Sequence, residues 1–114
     1  MNTNEAAVSV LQYYIDEHLF EPKSNWPKDR FGGRSYSRWA AYELQGRIIE
    51  ESLRLPPHLT ITGREQKTPI EIIEEFISEM DYFSEISETN DNRSSQFIFS
   101  VAKETAKEII DLFL

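Results

Sequence analysis

The 114-residue chain contains no cysteine. That removes disulfides, thiolate zinc sites, iron–sulfur clusters and thiol nucleophiles together, and it fits a reducing compartment. Only two histidines are present, His18 and His58, in different segments and without the His-x-x-x-His or Glu-x-x-His spacing of a helical metal site. No apolar run approaches the roughly 20 residues that span a bilayer. The start, Met1-Asn2-Thr3-Asn4-Glu5, lacks the basic stretch of a signal peptide, so the expectation is a cytoplasmic protein that meets no membrane. There is no Gly-x-Ser-x-Gly elbow, and the adjacent pair Gly32-Gly33 belongs to no Gly-x-x-x-x-Gly-Lys phosphate loop. Nucleophilic hydrolysis and nucleotide cradling are therefore without support. Basic charge is scarce as well: 12 Lys/Arg stand against 20 Asp/Glu, for a net charge of −8. A chain of that balance repels phosphate polyanions, and direct nucleic-acid binding is not expected.

What is present is helical periodicity. The pattern predicts an all-α fold, a compact bundle of four main helices with two long ordered loops, forming one domain over residues 1–114. The first helix runs from about Asn4 to Leu19, with Ala7, Val8, Leu11, Tyr14, Ile15 and Leu19 in one stripe. The second begins near Ser35 or Ser37, either of which could cap it, and continues to Leu53 through Trp39, Ala40, Ala41, Leu44, Ile48 and Ile49. Gly46 inside it reads as a place where a neighbouring helix or aromatic ring comes close. The third has the clearest start, Thr68-Pro69-Ile70-Glu71, with Thr68 as the cap and proline at the first helical position. Its stripe is Ile70, Ile73, Phe76, Ile77, Met80 and Phe83, and it gives way to a polar loop over 87–92. The fourth starts after Asn92 or Ser94 and carries Phe97, Ile98, Val101, Ala102, Thr105, Ala106, Ile109, Ile110 and Phe113 on its apolar side. Its end, Leu112 to Leu114, is expected to dock on the body.

The connections over 20–34 and 54–67 hold most of the prolines and glycines, and the second includes a β-like run, His58 to Thr62. Trp26, Phe31 and Leu59 within them suggest packed coverings. Trp39 and Tyr42 would then join Trp26 and Phe31 in a second apolar layer rather than form a base-stacking platform.

Charge is divided unevenly. Residues 1–68 carry nine bases and nine acids, whereas residues 69–114 carry three and eleven, so the whole excess of −8 lies in the second part. Six acids of the third helix, Glu71, Glu74, Glu75, Glu79, Asp81 and Glu85, make a candidate interaction face. Upstream, Lys23, Lys28, Arg30, Arg34 and Arg38 face only Asp29. Two arrangements follow. Either the basic loop, represented by Lys28, Arg30, Arg34 and Arg38, neutralises the acidic helix within the chain or across a homodimer, or the acidic face docks a basic partner protein.

Two resemblances bear on function. Glu74-Glu75 followed by Glu79, with Glu108-Ile109-Ile110-Asp111 further on, resembles in part the acidic runs of the MazG-like all-α NTP pyrophosphatases. That likeness implies Mg²⁺ held by Glu74, Glu75, Glu108 and Asp111, although Ser78 stands where the third acid belongs and no lysine accompanies the run. The strings Arg34 to Leu44, Ile73 to Tyr82 and Phe99 to Ala106 look like short acidic proteins of clostridial genomes and mobile elements. Such proteins include inhibitors of host nucleic-acid enzymes, which implies an acidic face that imitates DNA phosphates. The expectation is a non-enzymatic protein-interaction module with no cofactor. The alternative is a Mg²⁺-dependent nucleotide pyrophosphohydrolase.

Overall fold

The computed structural model describes residues 3–17, 33–54, 57–59 and 65–114. Four helices make up an all-α bundle: α1 (Thr3–Glu17), α2 (Gly33–Ser52), α3 (Pro69–Thr89) and α4 (Arg93–Ile110), with a short 3₁₀ turn at Pro57–Leu59. Of the expected β-like run, His58 and Leu59 lie in that turn and are exposed, while Thr60, Ile61 and Thr62 fall outside the described residues. Pro57 opens the turn and Pro56 stands before it in the sequence, and proline favours turns over sheet ladders. Residues 18–32 fall outside the described residues. With them go His18, Trp26, Lys28, Arg30, Phe31 and most of the first long loop.

α3 begins as its sequence dictates. Thr68 sits in extended backbone, and its hydroxyl accepts the Glu71 N–H at 3.2 Å, with Pro69 at the first helical position. Side chains of two other helices fix the approach to this cap. Glu51 of α2 accepts the Lys67 N–H at 2.7 Å, and Asn4 of α1 donates to the Lys67 carbonyl at 2.9 Å. Both peptide groups of the residue preceding the cap are thus satisfied inside the fold.

The turn from α3 into α4 is equally definite. The Asn92 N–H donates to the Ser87 carbonyl and the Asp91 N–H to the Glu88 carbonyl, at 2.8 and 3.0 Å. Asp91 has a φ of 54°. This is a Schellman closure with Asp91 in the left-handed position where glycine is usual. Asn92 then starts α4 by accepting the Ser95 N–H at 3.1 Å, so one residue closes one helix and opens the next. Ser87, expected in a loop, is a buried residue of the last turn of α3.

α3 and α4 form an antiparallel hairpin, with Ser84 meeting Ser100 and Asp81 meeting Lys103 across it. α2 lies against α4, and α1 against α2. The core gathers Leu11, Leu44, Ile48, Ile73, Phe76 and Ile109, all fully buried. The apolar stripes of α1, α3 and α4 supply most of it. α2 departs from expectation: it starts at Gly33 rather than at Ser35 or Ser37, and Ser37 is no cap but a buried hydroxyl 2.8 Å from that of Thr105. Its core face is Ala40, Ala41, Leu44 and Ile48, while Trp39, Tyr42, Ile49 and Leu53 are exposed. Gly46 has nothing within 4 Å of where a Cβ would stand, so no element of the described chain makes the close approach expected there. At the far end Phe113 packs on the core, but Leu112 and Leu114 do not. Only one of the three terminal residues expected to dock does so, because a helix that stops at Ile110 no longer holds all three on one face.

Candidate functional site

The acids of α3 fall into two groups, and their positions around the helix decide which. Ile72, Ile73, Phe76 and Met80 point into the core, which leaves Glu75 and Glu79 on the flank toward α2 and Asp81 on the flank toward α4. Each of these three meets a cation. Lys67 Nζ lies 2.7 Å from Glu75 Oε2, Arg47 Nη1 lies 2.7 Å from Glu79 Oε2, and Lys103 Nζ lies 2.6 Å from Asp81 Oδ1. The Lys103 ammonium, bonded to Asp81 and beside it, holds that carboxyl below the usual range.

Arg47 is the most heavily engaged of the cations. Besides Glu79 it reaches Glu43 at 3.3 Å, one turn earlier in its own helix, and its guanidinium stands 5.1 Å from the centre of the Phe76 ring. Burial acts to lower its pKa, but the bonds and charges of Glu79 and Glu43 outweigh it and leave the pKa raised. With Trp39 also tilted against Phe76, ring centres 6.3 Å apart, Arg47 pins α2 across α3.

The second group lies on the outer face. Glu74 and Glu85 are exposed, and neither meets a cation among the described residues. Glu71, also exposed, belongs to the first turn, where its carboxylate accepts a 3.3 Å bond from the Thr68 hydroxyl and favours the positive end of the helix dipole. Glu74, Ser78, Asp81 and Glu85 follow at spacings of four, three and four, which is one stripe running about 16 Å along the helix.

Beside this stripe the distal part of α3 carries exposed aromatic surface. Phe83, expected in the core, is 40% exposed, and Tyr82 and Ile86 are exposed with it. Beyond Met80 the buried part of α3 is reduced to Ser87, and among the described residues Phe83 meets the rings of Tyr82, at 5.8 Å, and of Phe99 in α4, at 5.3 Å. The expected stripe ran one turn too far.

Two depressions border the acidic helix. One, of ≈ 490 Å³, is lined by Glu71, Glu74, Glu75, Ser78 and Glu79 and is open to solvent. The other, of ≈ 460 Å³, lies between α2 and α3 and is lined by Arg47, Glu50, Glu51, Arg54, Lys67, Ile72 and Glu75. Two of its three cations, Arg47 and Lys67, are engaged by Glu43, Glu79 and Glu75, and Arg54 also has partners in the fold. That cleft is a fastening between helices.

The expected neutralisation of the acids by the basic loop rests mostly on residues outside those described; among the described residues other cations meet the acids. Arg47, Lys67 and Lys103, none of them singled out by the sequence pattern, serve Glu79, Glu75 and Asp81. Lys28 and Arg30 lie outside the described residues, as does the side chain of Arg34, while Arg38 is on the exposed side of α2. The carboxylates of the metal alternative are not gathered. Glu74 and Glu75 are exposed on α3, and Glu108 lies on α4 close enough to Tyr14 of α1 to act on its ionisation. Asp111 caps the end of α4. No group of three or more His, Asp or Glu able to hold a metal ion occurs among the described residues. Comparison with family models, with curated proteins and with solved structures found no match.

Proposed function

We propose that this protein is a binding module without chemistry of its own, whose outer α3 face docks a basic surface on a partner protein. The supporting observation is the division of the acids: Glu75, Glu79 and Asp81 are paired, Glu71 serves the first turn, and Glu74 and Glu85, with Glu88 at the end of the helix, stand exposed, near Tyr82, Phe83 and Ile86 along α3. Spaced carboxylates on a rigid helix supply long-range attraction and register, and the aromatic strip supplies area to be desolvated. A groove lined by Lys and Arg, of the kind that nucleic-acid enzymes present, is the partner such a face fits. In its sharpest form the module is an inhibitor that occupies that groove in place of DNA, and the −8 charge of the chain would speed the encounter.

The test uses the whole chain as bait in extracts of its native host, with Glu74→Lys/Glu85→Lys and Tyr82→Ala as companions. The wild type should retain a partner that both variants lose, with association slowed by salt and all three proteins equally helical. Equal retention by the charge-reversed variant would defeat this reading.

A further inference from the structure

α2 has two apolar faces; the fold buries one and covers the other only in part, through Trp39 beside Phe76. Ala40, Ala41, Leu44 and Ile48 are fully buried. On the opposite side Trp39, Tyr42, Gly46, Ile49 and Leu53 follow one another at spacings of three, four, three and four. That is the interval at which two packed helices present their seam to each other. The four large residues are 43, 49, 39 and 76% exposed, and at the middle of the row the missing Cβ of Gly46 would meet nothing within 4 Å. A glycine inside a helix weakens it, and the described chain draws no packing benefit from this one. A helix approaching from outside would find its point of closest contact there.

We infer that this seam is where two copies of the chain pair, α2 against α2 in the same direction about a two-fold axis. Charge selects the occupant. A protein of net charge −8 repels its own copy, and α3, with seven acids and no base, is the worst side on which to meet. α2 balances Arg34, Arg38 and Arg47 against Glu43, Glu50 and Glu51. Charge also selects the direction. With the helices parallel, the residue just before one seam position faces the residue five places later in the second copy, which sets Arg38 against Glu43 twice. Antiparallel pairing would instead set the Glu43 and Glu50 flank of one copy against the same flank of the other. Glu43 holds Arg47 through one oxygen and remains 40% exposed, so its outer side can accept a second cation. This pairing leaves the outer face of α3 clear and stands or falls separately from the proposed function.

Sedimentation of the full chain at physiological salt, from low to high micromolar concentration, tests it. The expected result is a monomer–dimer equilibrium, with the dissociation constant raised at least about tenfold by Ile49→Glu/Leu53→Glu and by Gly46→Leu while helicity is kept. Arg38→Glu and Glu43→Arg should each weaken pairing, and the two together should restore it. A monomer at every concentration would overturn the inference, whether residues 18–32 or a different protein then cover the seam. A dimer indifferent to Ile49→Glu/Leu53→Glu would overturn it too, as would one abolished by Glu74→Lys/Glu85→Lys. A dimer weakened by the single charge swaps but not restored by the double swap would overturn the parallel register.

Discussion

The hydroxyls of Ser37 and Thr105 share one buried contact, and the direction of each proton follows from counting. Thr105 donates to the Val101 carbonyl at 2.9 Å, so its oxygen accepts from Ser37 at 2.8 Å. Thr105→Val keeps the shape and removes the acceptor, leaving a buried Ser37 hydroxyl without it, at a cost of about 1–3 kcal/mol. Adding Ser37→Ala should recover most of that loss, because an apolar pair of similar shape leaves no polar group stranded. Denaturant midpoints of the two singles and the double would measure the coupling. Tyr14 sets a pH limit at the same scale: burial, aided by the Glu108 charge, pushes its phenol up to about 12. The folded value exceeds that of an unfolded tyrosine, about 10. Its contribution is therefore complete below pH about 10 and is lost as pH rises through about 12. Melting temperatures across that window should fall less steeply for Tyr14→Phe than for the wild type.

At the scale of the element, the α3–α4 turn shows how local chemistry ends a helix and where it remains imperfect. Thr68 is a cap that the sequence announces, and Asn92 is the one of two candidate starts, Asn92 and Ser94, that the structure makes the cap of α4. Asp91 is the costly member, since its φ of 54° is one that an L side chain tolerates poorly. Asp91→Gly should raise stability by about 1 kcal/mol, read as a higher denaturation midpoint with an unchanged slope. α2 is the element that local pattern described least well. Its apolar residues lie on both sides, so periodicity cannot say which side faces in. Trp39 and Tyr42 have the size and hydrophobicity of core residues, yet the neighbouring helices settle on the smaller Ala40 and Ala41, which admit closer packing.

For the whole molecule the question is what the acidic excess does. Reversing Glu75, Glu79 and Asp81 together to Lys turns three attractions, with Lys67, Arg47 and Lys103, into repulsions. The melting temperature should drop, and added salt should restore part of it by screening the new like charges. Reversing Glu74 and Glu85 should leave the melting temperature within error of the wild type or slightly above it, since it relieves repulsion along α3 and breaks no pair among the described residues. Calorimetry on the two variants at low and high salt compares them directly. The acidic helix is thus part architecture and part surface, and the two functions divide between neighbouring residues of the same turns.

The sequence by itself determined the four helices, the cap at Thr68, and the core stripes of α1, α4 and of α3 as far as Met80. These rest on interactions within one or two turns, where spacing along the chain is also spacing in space. Tertiary structure alone decided which cations meet the acids, which side of α2 is covered, and where burial along α3 stops. Arg47 and Glu79 are 32 residues apart, and Lys103 and Asp81 are 22 apart, so no local interval marks them as partners. Only the placement of one helix across another brings those charges within reach, and the same placement leaves Glu74, Glu85 and the outer seam of α2 facing outward.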